Sequence, residues 1–430
     1  MRILTVLALM AAFAWTAAQN ATLNVVHYFD PLGGSHLVQS LDWLEGVTEA
    51  FVAEHPGTTV TYDLFTWDEI DQRMIVDRQA GVAHDVVFVS SQLTPRHAAA
   101  GSLQDISEFV ERWTAEERAD LDWSPVWQGG YPYGIPTGVH IRLVTYRTDL
   151  FAEAGIEAPP TTLDELVEHA RRLTRDTTGD GNVDQWGLGI YLGPQRATAE
   201  LAFIPLIWHF GGEPWDPDTG EAVFASEAGV QAAQFLYDLV HLHQVTPAYV
   251  ASGNYDDIVL RGFVDGQFAM TWGYGSYWIS VLEAEDMIDG CWPATDACST
   301  PVASVFVTPT DGRAQFGNSW LLGVHGNSGD PELAFAFVEE LTAAGTLEQF
   351  ADGGLPARRS AWEDPVYTTP FYEAWFDAID SGRPMPATVR FNELADAMTT
   401  AIAEIVLGGA PIEATLLRHQ DEYNASYAGE

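Results

Sequence analysis

Three stretches decide the fold: LNVVHYFD at 23–30, VTYDLFTWD at 60–68 and DVVFVSSQ at 85–92. Leu23–Phe29 reads as a buried strand, Val60, Tyr62 and Leu64 alternate as a strand does, and Asp85–Val89 is a short apolar run of strand length. Between the first two, Leu37, Leu41, Leu44, Val47, Phe51 and Val52 share one face of a helix that Pro56-Gly57 ends. Trp67 to Ala80 forms the second helix. The order β-α-β-α-β implies a parallel sheet with helices on both faces. In such sheets ligands bind at the carboxyl ends of the strands. Phe29-Asp30, Trp67-Asp68 and Ser90-Ser91-Gln92 lie just past those ends.

Downstream the pattern changes. YPYGIPTGV at 131–139 sets glycines and prolines among aromatics, as a crossover between lobes would, and Leu143–Tyr146 is again a strand. A helix then starts after Pro159-Pro160, with Thr162 as N-cap and Glu165 three residues on, the pattern of a capping box. Leu163, Leu166, Val167, Ala170 and Leu173 form its apolar stripe. Further helical segments are Ala228–His243, Pro331–Thr342 and Asn392–Leu407, and no tandem repeat is seen.

Of 430 residues, 47% are hydrophobic, enough for a large core divided over two or three domain-sized units. Sixty-one acidic residues face 19 basic ones, all of them Arg. Such a field repels nucleic acid and anionic lipid surfaces, so both are poor partner candidates and no nucleic acid is expected. It serves solubility, or adaptation to a saline habitat. Residues 1–18 read as a signal peptide: Arg2, then the apolar run Ile3–Trp15, then Thr16, Ala17 and Ala18 for cleavage. That run is too short to span a membrane comfortably. No Cys follows it, which points to a periplasmic or freely secreted protein without a lipid anchor. In that compartment Cys291 and Cys298 read as a local disulfide, contributing roughly 2–3 kcal/mol.

The segment Gly134–Gly189 (GIPTGVHIRLVTYRTDLFAEAGIEAPPTTLDELVEHARRLTRDTTGDGNVDQWGLG) resembles family 1 extracellular solute-binding proteins, the maltose-binding-protein-like group. FVDGQFAMTWGYGSYW at 263–278 is similar to that family's strand leading to a ligand-facing Trp. GNSWLLG at 317–323 is similar to its return strand, and GGLPARRS at 353–360 to its late Leu-Pro-x-Arg turn. The resemblance implies an α/β protein of two discontinuous α/β lobes joined by a multi-strand hinge, periplasmic binding protein-like, type II. Crossovers carried over by motif fall near Pro136, Pro309 and Gly345. They give a first lobe of 19–137 plus 310–345 and a second of 138–309 plus 346–430.

The same resemblance implies the substrate-binding component of an ABC transporter, not an enzyme. A sugar or oligosaccharide would be captured between the lobes by hinge closure and passed to a membrane permease, with the protein expected to act as a monomer. A sugar needs aromatic platforms and fixed polar groups. The candidate platforms are Trp67, Trp208, Trp272, Tyr274, Tyr277, Trp278 and Trp320. For hydroxyl groups the candidates are Asp30, Asp68, Ser91, Gln92, His140 and Arg390, since charged groups make the stronger hydrogen bonds. For each the plain alternative is a core aromatic or a solvated loop. Where the family often places an acidic residue after the crossover, Gly138-Val139-His140 stands here.

The loop Asp176–Asp184 allows two readings. Asp176, Thr178, Asp180, Asn182 and Asp184 could hold a structural calcium, with Gly181 at the sharp turn. But position 12 is Gly187 instead of a bidentate Glu, and an Asx-type turn needs no ion. No other cofactor is expected. The rival functions are an extracellular glycoside hydrolase and a binder of a non-sugar solute such as glycerol phosphate. Against them, the chain lacks H-E-x-x-H, G-x-S-x-G and a phosphate loop, and Arg358-Arg359 is the only late basic pair.

Overall fold

Strand β1 (Ala21–His27) pairs in parallel with β2 (Thr58–Leu64) on one side and β3 (Val86–Ser90) on the other, in a computed structural model of the chain. It describes residues 21–427 apart from 33–34, 68, 122–132, 286, 289–302, 307–314, 317–318, 351–353, 368–369, 380–381, 384 and 387. Signal residues 1–18, Asp68, Cys291 and Cys298 lie outside the described residues. Helices α1 (Ser35–Glu54) and α2 (Ile70–Ala80) connect the three strands, and α3 (Thr94–Ala100) follows β3. Val86 to Val89 are all fully buried, as a strand covered on both faces must be. Two antiparallel strands complete the sheet. They are β11 (Trp320–Val324), beside β3, and β4 (Ile135–Pro136), giving the order β2-β1-β3-β11-β4.

The second sheet is centred on β6 (Ile141–Arg147) and β8 (Phe268–Gly275), antiparallel to each other, with β7 (Trp186–Gly189) parallel to β8. Two short strands, β9 (Ala303–Phe306) and β10 (Gln315–Phe316), lie along β6. Around this sheet pack helix α4 (Leu163–Leu173), helix α5 (Glu227–His241) and helix α6 (Phe391–Val406). The protein is therefore mixed α/β with two lobes, each built from separated stretches of chain. Between the sheets, β5 (Gly138–Val139) pairs with β12 (Leu355–Pro356) as a two-stranded link.

Two expected crossovers move. β9 and β10 both stay on β6, so the chain returns to the first sheet between Phe316 and Trp320, after Pro309. Leu347, Phe350 and Ala357 belong to the first lobe's core, Arg358 donates to the Thr342 carbonyl and Ser360 donates to Asp120, so the last crossing falls beyond β12 and not at Gly345. The lobe boundaries drawn at 310 and 345 shift accordingly.

Local signals act as their chemistry dictates. The Thr162 hydroxyl accepts the Glu165 amide at 3.2 Å. The Glu165 carboxylate reaches back to Thr161 (2.7 Å) and not to Thr162, so the expected box is offset by one residue. The second helix begins at Ile70, three residues after Trp67, and ends at Gly81 with φ 74°. Gly187 is fixed by packing: a Cβ there would lie 2.0 Å from the Ala170 carbonyl oxygen.

Candidate functional site

A cavity of about 160 Å³ opens where the two lobes face each other. The first lobe contributes Tyr28, His36, Leu37, Trp67 and Trp320. Tyr28 stands just past β1, Trp67 past β2, and Trp320 begins β11, so these rings sit at the strand ends where open α/β sheets place ligands. Tyr28 stacks on Trp320 with centroids 4.0 Å apart and planes at 23°. Trp67 is 46% exposed, a large apolar face left toward solvent.

The second lobe contributes His140, Arg142, Gln195, Arg196, Ala197, Glu200, Leu201, Tyr255, Asp256 and Trp278. Most come from two π-helical turns, Thr198–Phe203 and Asp256–Arg261, and the residues leading into them. Such turns are rare, break the ordinary helical register and recur at functional sites. Tyr255 stacks on Trp278 at 4.9 Å and 25°, a second aromatic pair matching the one across the cleft. Arg142 donates to the Tyr255 hydroxyl at 3.4 Å, and that hydroxyl donates to the Gly273 carbonyl at 2.7 Å. Gly273 has φ 78° beside the register shift between β6 and β8, a conformation that favours glycine.

The wall carries balanced charge. Arg142 and Arg196 face Glu200 and Asp256, and Arg196 is held by the Asn392 side-chain oxygen. Asp256 is reached by solvent from the cavity but hemmed in by protein elsewhere. That crowding raises its carboxyl to about 6, against the pull of Arg142 and with a push from Asp257. Burial lowers His36 to about 4, so its ring is neutral near pH 7. Flat aromatic faces beside carboxylates and guanidinium groups suit a ligand with C–H faces and a rim of hydroxyls.

Four of the sequence candidates line this cavity: Trp67, His140, Trp278 and Trp320. The other described candidates lie elsewhere. Trp272 is a core residue, 1% exposed, its indole donating to the Leu201 carbonyl at 2.7 Å. It supports the π-helical turn that carries Glu200 from behind. Tyr274 is packed in the core against Phe263 and Trp278. The glycine-rich stretch holding these two aromatics is strand β8, buried along its whole length, with Trp272 in one core cluster and Tyr274 in another. The side chain of Tyr277 lies outside the described residues. Trp208 is a surface platform for Arg383, 4.4 Å away, and donates to Glu213.

Asp30 is exposed and accepts the Leu32 amide at 2.8 Å, a turn contact. The Ser91 hydroxyl accepts the Ser319 amide at 3.0 Å, tying β3 to the start of β11. Gln92 is buried beside it, off the cavity lining. Arg390 lies over the Tyr423 ring at 4.9 Å and donates to Ser426 at 2.8 Å. In the loop at 176–184, Asp176 accepts the amides of Gly181 (2.7 Å) and Gly179 (2.6 Å). Asp180 accepts that of Asn182, and Asp184 those of Thr177 and Thr178. This is an Asx-type arrangement. Among the described residues no group of three His, Cys, Asp or Glu is placed to hold a metal.

Tyr28, His36, Arg142, Arg196, Glu200, Tyr255 and Asp256 were not anticipated. A signal for two of them was present. Arg142 in HIRLVTY and Glu200 in TAELAF are charges inside apolar runs, which a folded chain buries only with a purpose.

Residues 35–348, well over half of the chain, match the family model described as bacterial extracellular solute-binding protein. The chain belongs to that family. This extracellular solute-binding protein is 22% identical over 377 residues to a putative binding protein of Brucella abortus (strain 2308), covering 87% of each. In fold it is similar to an ABC transporter solute-binding protein from Thermotoga lettingae solved with α-D-tagatose (TM-score 0.76, 22% identity, 94% of this chain and 99% of that one). It is similar too to the maltose/maltodextrin-binding domain MalE of Bdellovibrio bacteriovorus, solved with maltotriose (TM-score 0.75, 20% identity, 95% and 100%). Among its described residues no helix is long and apolar enough to cross a membrane.

Proposed function

We propose that this solute-binding protein is the capture component of an ABC-type importer and takes a carbohydrate between its lobes. The observation that carries this reading is the pair of stacked aromatic walls, Tyr28–Trp320 and Tyr255–Trp278, on opposite sides of one cleft with Arg142, Glu200 and Asp256 among them. Structural relatives bound to tagatose and to maltotriose support the same class of ligand. The ligand touches both lobes, so its binding energy favours the closed form over the open one. A membrane permease then recognises the closed form. Bound ligand leaves chemically unchanged. A phosphate ester, the rival solute, would need surplus positive charge, and in the described lining two carboxylates offset the two guanidinium groups.

A thermal-shift screen against sugars, alditols and glycerol phosphate tests the reading. A carbohydrate at a hundred times its Kd stabilises by roughly 2.7 kcal/mol, a rise of a few degrees for a chain of this size. A shift with glycerol phosphate alone overturns it. Hydrolysis would have to use Glu200 and Asp256; release of reducing ends on incubation with oligosaccharides would show an enzyme instead.

A further inference from the structure

We infer that the ligand is a single neutral ring, or an open-chain polyol of the same size, and not an oligosaccharide; this rests on the carbohydrate reading above. The lobes already touch on more than one flank of the cavity. Helix α1 meets the short helix Ile279–Ala284 of the second lobe. Arg96, in the first-lobe helix Thr94–Ala100, lies 3.9 Å from Glu393 at the start of α6. Leu93, just past β3, is 1% exposed and packs into the second lobe's core. The two lobes are thus in contact around the cavity, and the cavity bounded by the described residues is the space on which this inference rests.

That space is about 160 Å³. A protein cavity of about 150 Å³ accepts one benzene ring, so this one matches one six-membered ring. A second ring joined by a glycosidic bond needs about twice the room, and the bulkier ligand would hold the flanking contacts apart. The aromatic lining is one stacked pair from each lobe, Tyr28–Trp320 and Tyr255–Trp278, on a single cavity, where a chain of rings would want platforms in series. Charge sets the second condition. With Arg142 and Arg196 matched by Glu200 and Asp256, nothing in the described wall offsets an acidic sugar.

Isothermal titration of the full mature chain with hexoses, pentoses, their alditols, uronic acids, and the matching di- and trisaccharides tests this. The expected result is a monosaccharide or alditol that binds at least tenfold more tightly than its uronic acid and its trisaccharide. A di- or trisaccharide that binds as tightly as any single ring overturns the size limit while leaving the carbohydrate reading intact. A uronic acid that binds best overturns neutrality. If no carbohydrate of any length gives heat or raises the melting point, the reading itself fails and the size limit falls with it.

Discussion

Two tryptophans separate the work of binding from the work of folding. Trp320 presents a half-buried face to the cleft, whereas Trp272 is sealed behind it with its indole on the Leu201 carbonyl. Trp320→Ala should weaken the ligand at least about tenfold, or 1.4 kcal/mol, with the melting point of the free protein little changed. Trp272→Ala should cost about 3–5 kcal/mol in denaturant unfolding, since it empties a core site and strands a carbonyl. Equal loss of stability in both variants would contradict this division. Asp256 adds a pH signature. Its carboxyl, raised to about 6 by desolvation, shares the cavity wall with Arg142, Glu200 and His140, with His36 on the other lobe and Asp257 beside it. Ionised, it accepts from hydroxyl groups through both oxygens in charge-assisted bonds, and protonation weakens that acceptor, so affinity should fall as pH drops through 6. Titrations from pH 8 to 5 should show that fall in the native chain and a flatter profile in Asp256→Asn. The sequence pointed to aromatics at strand ends, and Trp67, Trp278 and Trp320 do line the cavity. It offered no way to tell Trp272 from Trp278, because the point where β8 ends, at Gly275, and the 3-10 turn after it that carries Trp278 to the cavity are not marked in that stretch.

Elements supply the frame in which those side chains are held. The β-α-β-α-β opening was legible because its strands are apolar runs bounded by clear breakers, and boundaries differ by only a few residues from the periodicity. The π-helical turns at 198–203 and 256–261 were not. A stretch that abandons the 3.6-residue period leaves no amphipathic stripe, so the residues it brings to the cavity stayed hidden. The loop at 176–184 carries acids at calcium-like spacing, yet those carboxylates already accept backbone amides. We expect the melting point to be the same in chelator and in millimolar calcium; a rise with calcium would restore the ion. Gly187, after that loop, lets β7 lie against α4. With a Cβ 2.0 Å from the Ala170 oxygen, Gly187→Ala should cost about 3 kcal/mol by urea unfolding. A neutral result would mean the strand can move away.

At the scale of the whole molecule, acid is the sensitive direction. His27 and His325 are buried and both lowered to about 4, chiefly by desolvation. The unfolded chain takes up protons below about 6.5 where the folded chain does not. Their contribution is therefore complete above pH 6.5 and lost as pH falls from there toward 4, on the order of 2–3 kcal/mol per ring. Asp256 works the other way between about pH 6 and 4, because its folded form holds a proton longer, and so offsets part of the loss from the two rings. Melting curves across pH 7 to 4 should fall, and His325→Gln should shallow the fall; a melting point that is level down to pH 4.5 would refute it. The interleaved course of the chain has a further consequence. Strand β11 lies between β3 and β4 in the first sheet, but it is not reached until residue 320, after nearly all of the second lobe's sheet has been made. A chain emerging from the ribosome can pair β1, β2 and β3, then must wait, with the flank of β3 bare, until the missing strand arrives. Pairing so distant in sequence is slow to form. Synthesis order and assembly order are thus uncoupled, and a fragment stopped at residue 300 would hold the makings of two sheets without the strand that finishes the first.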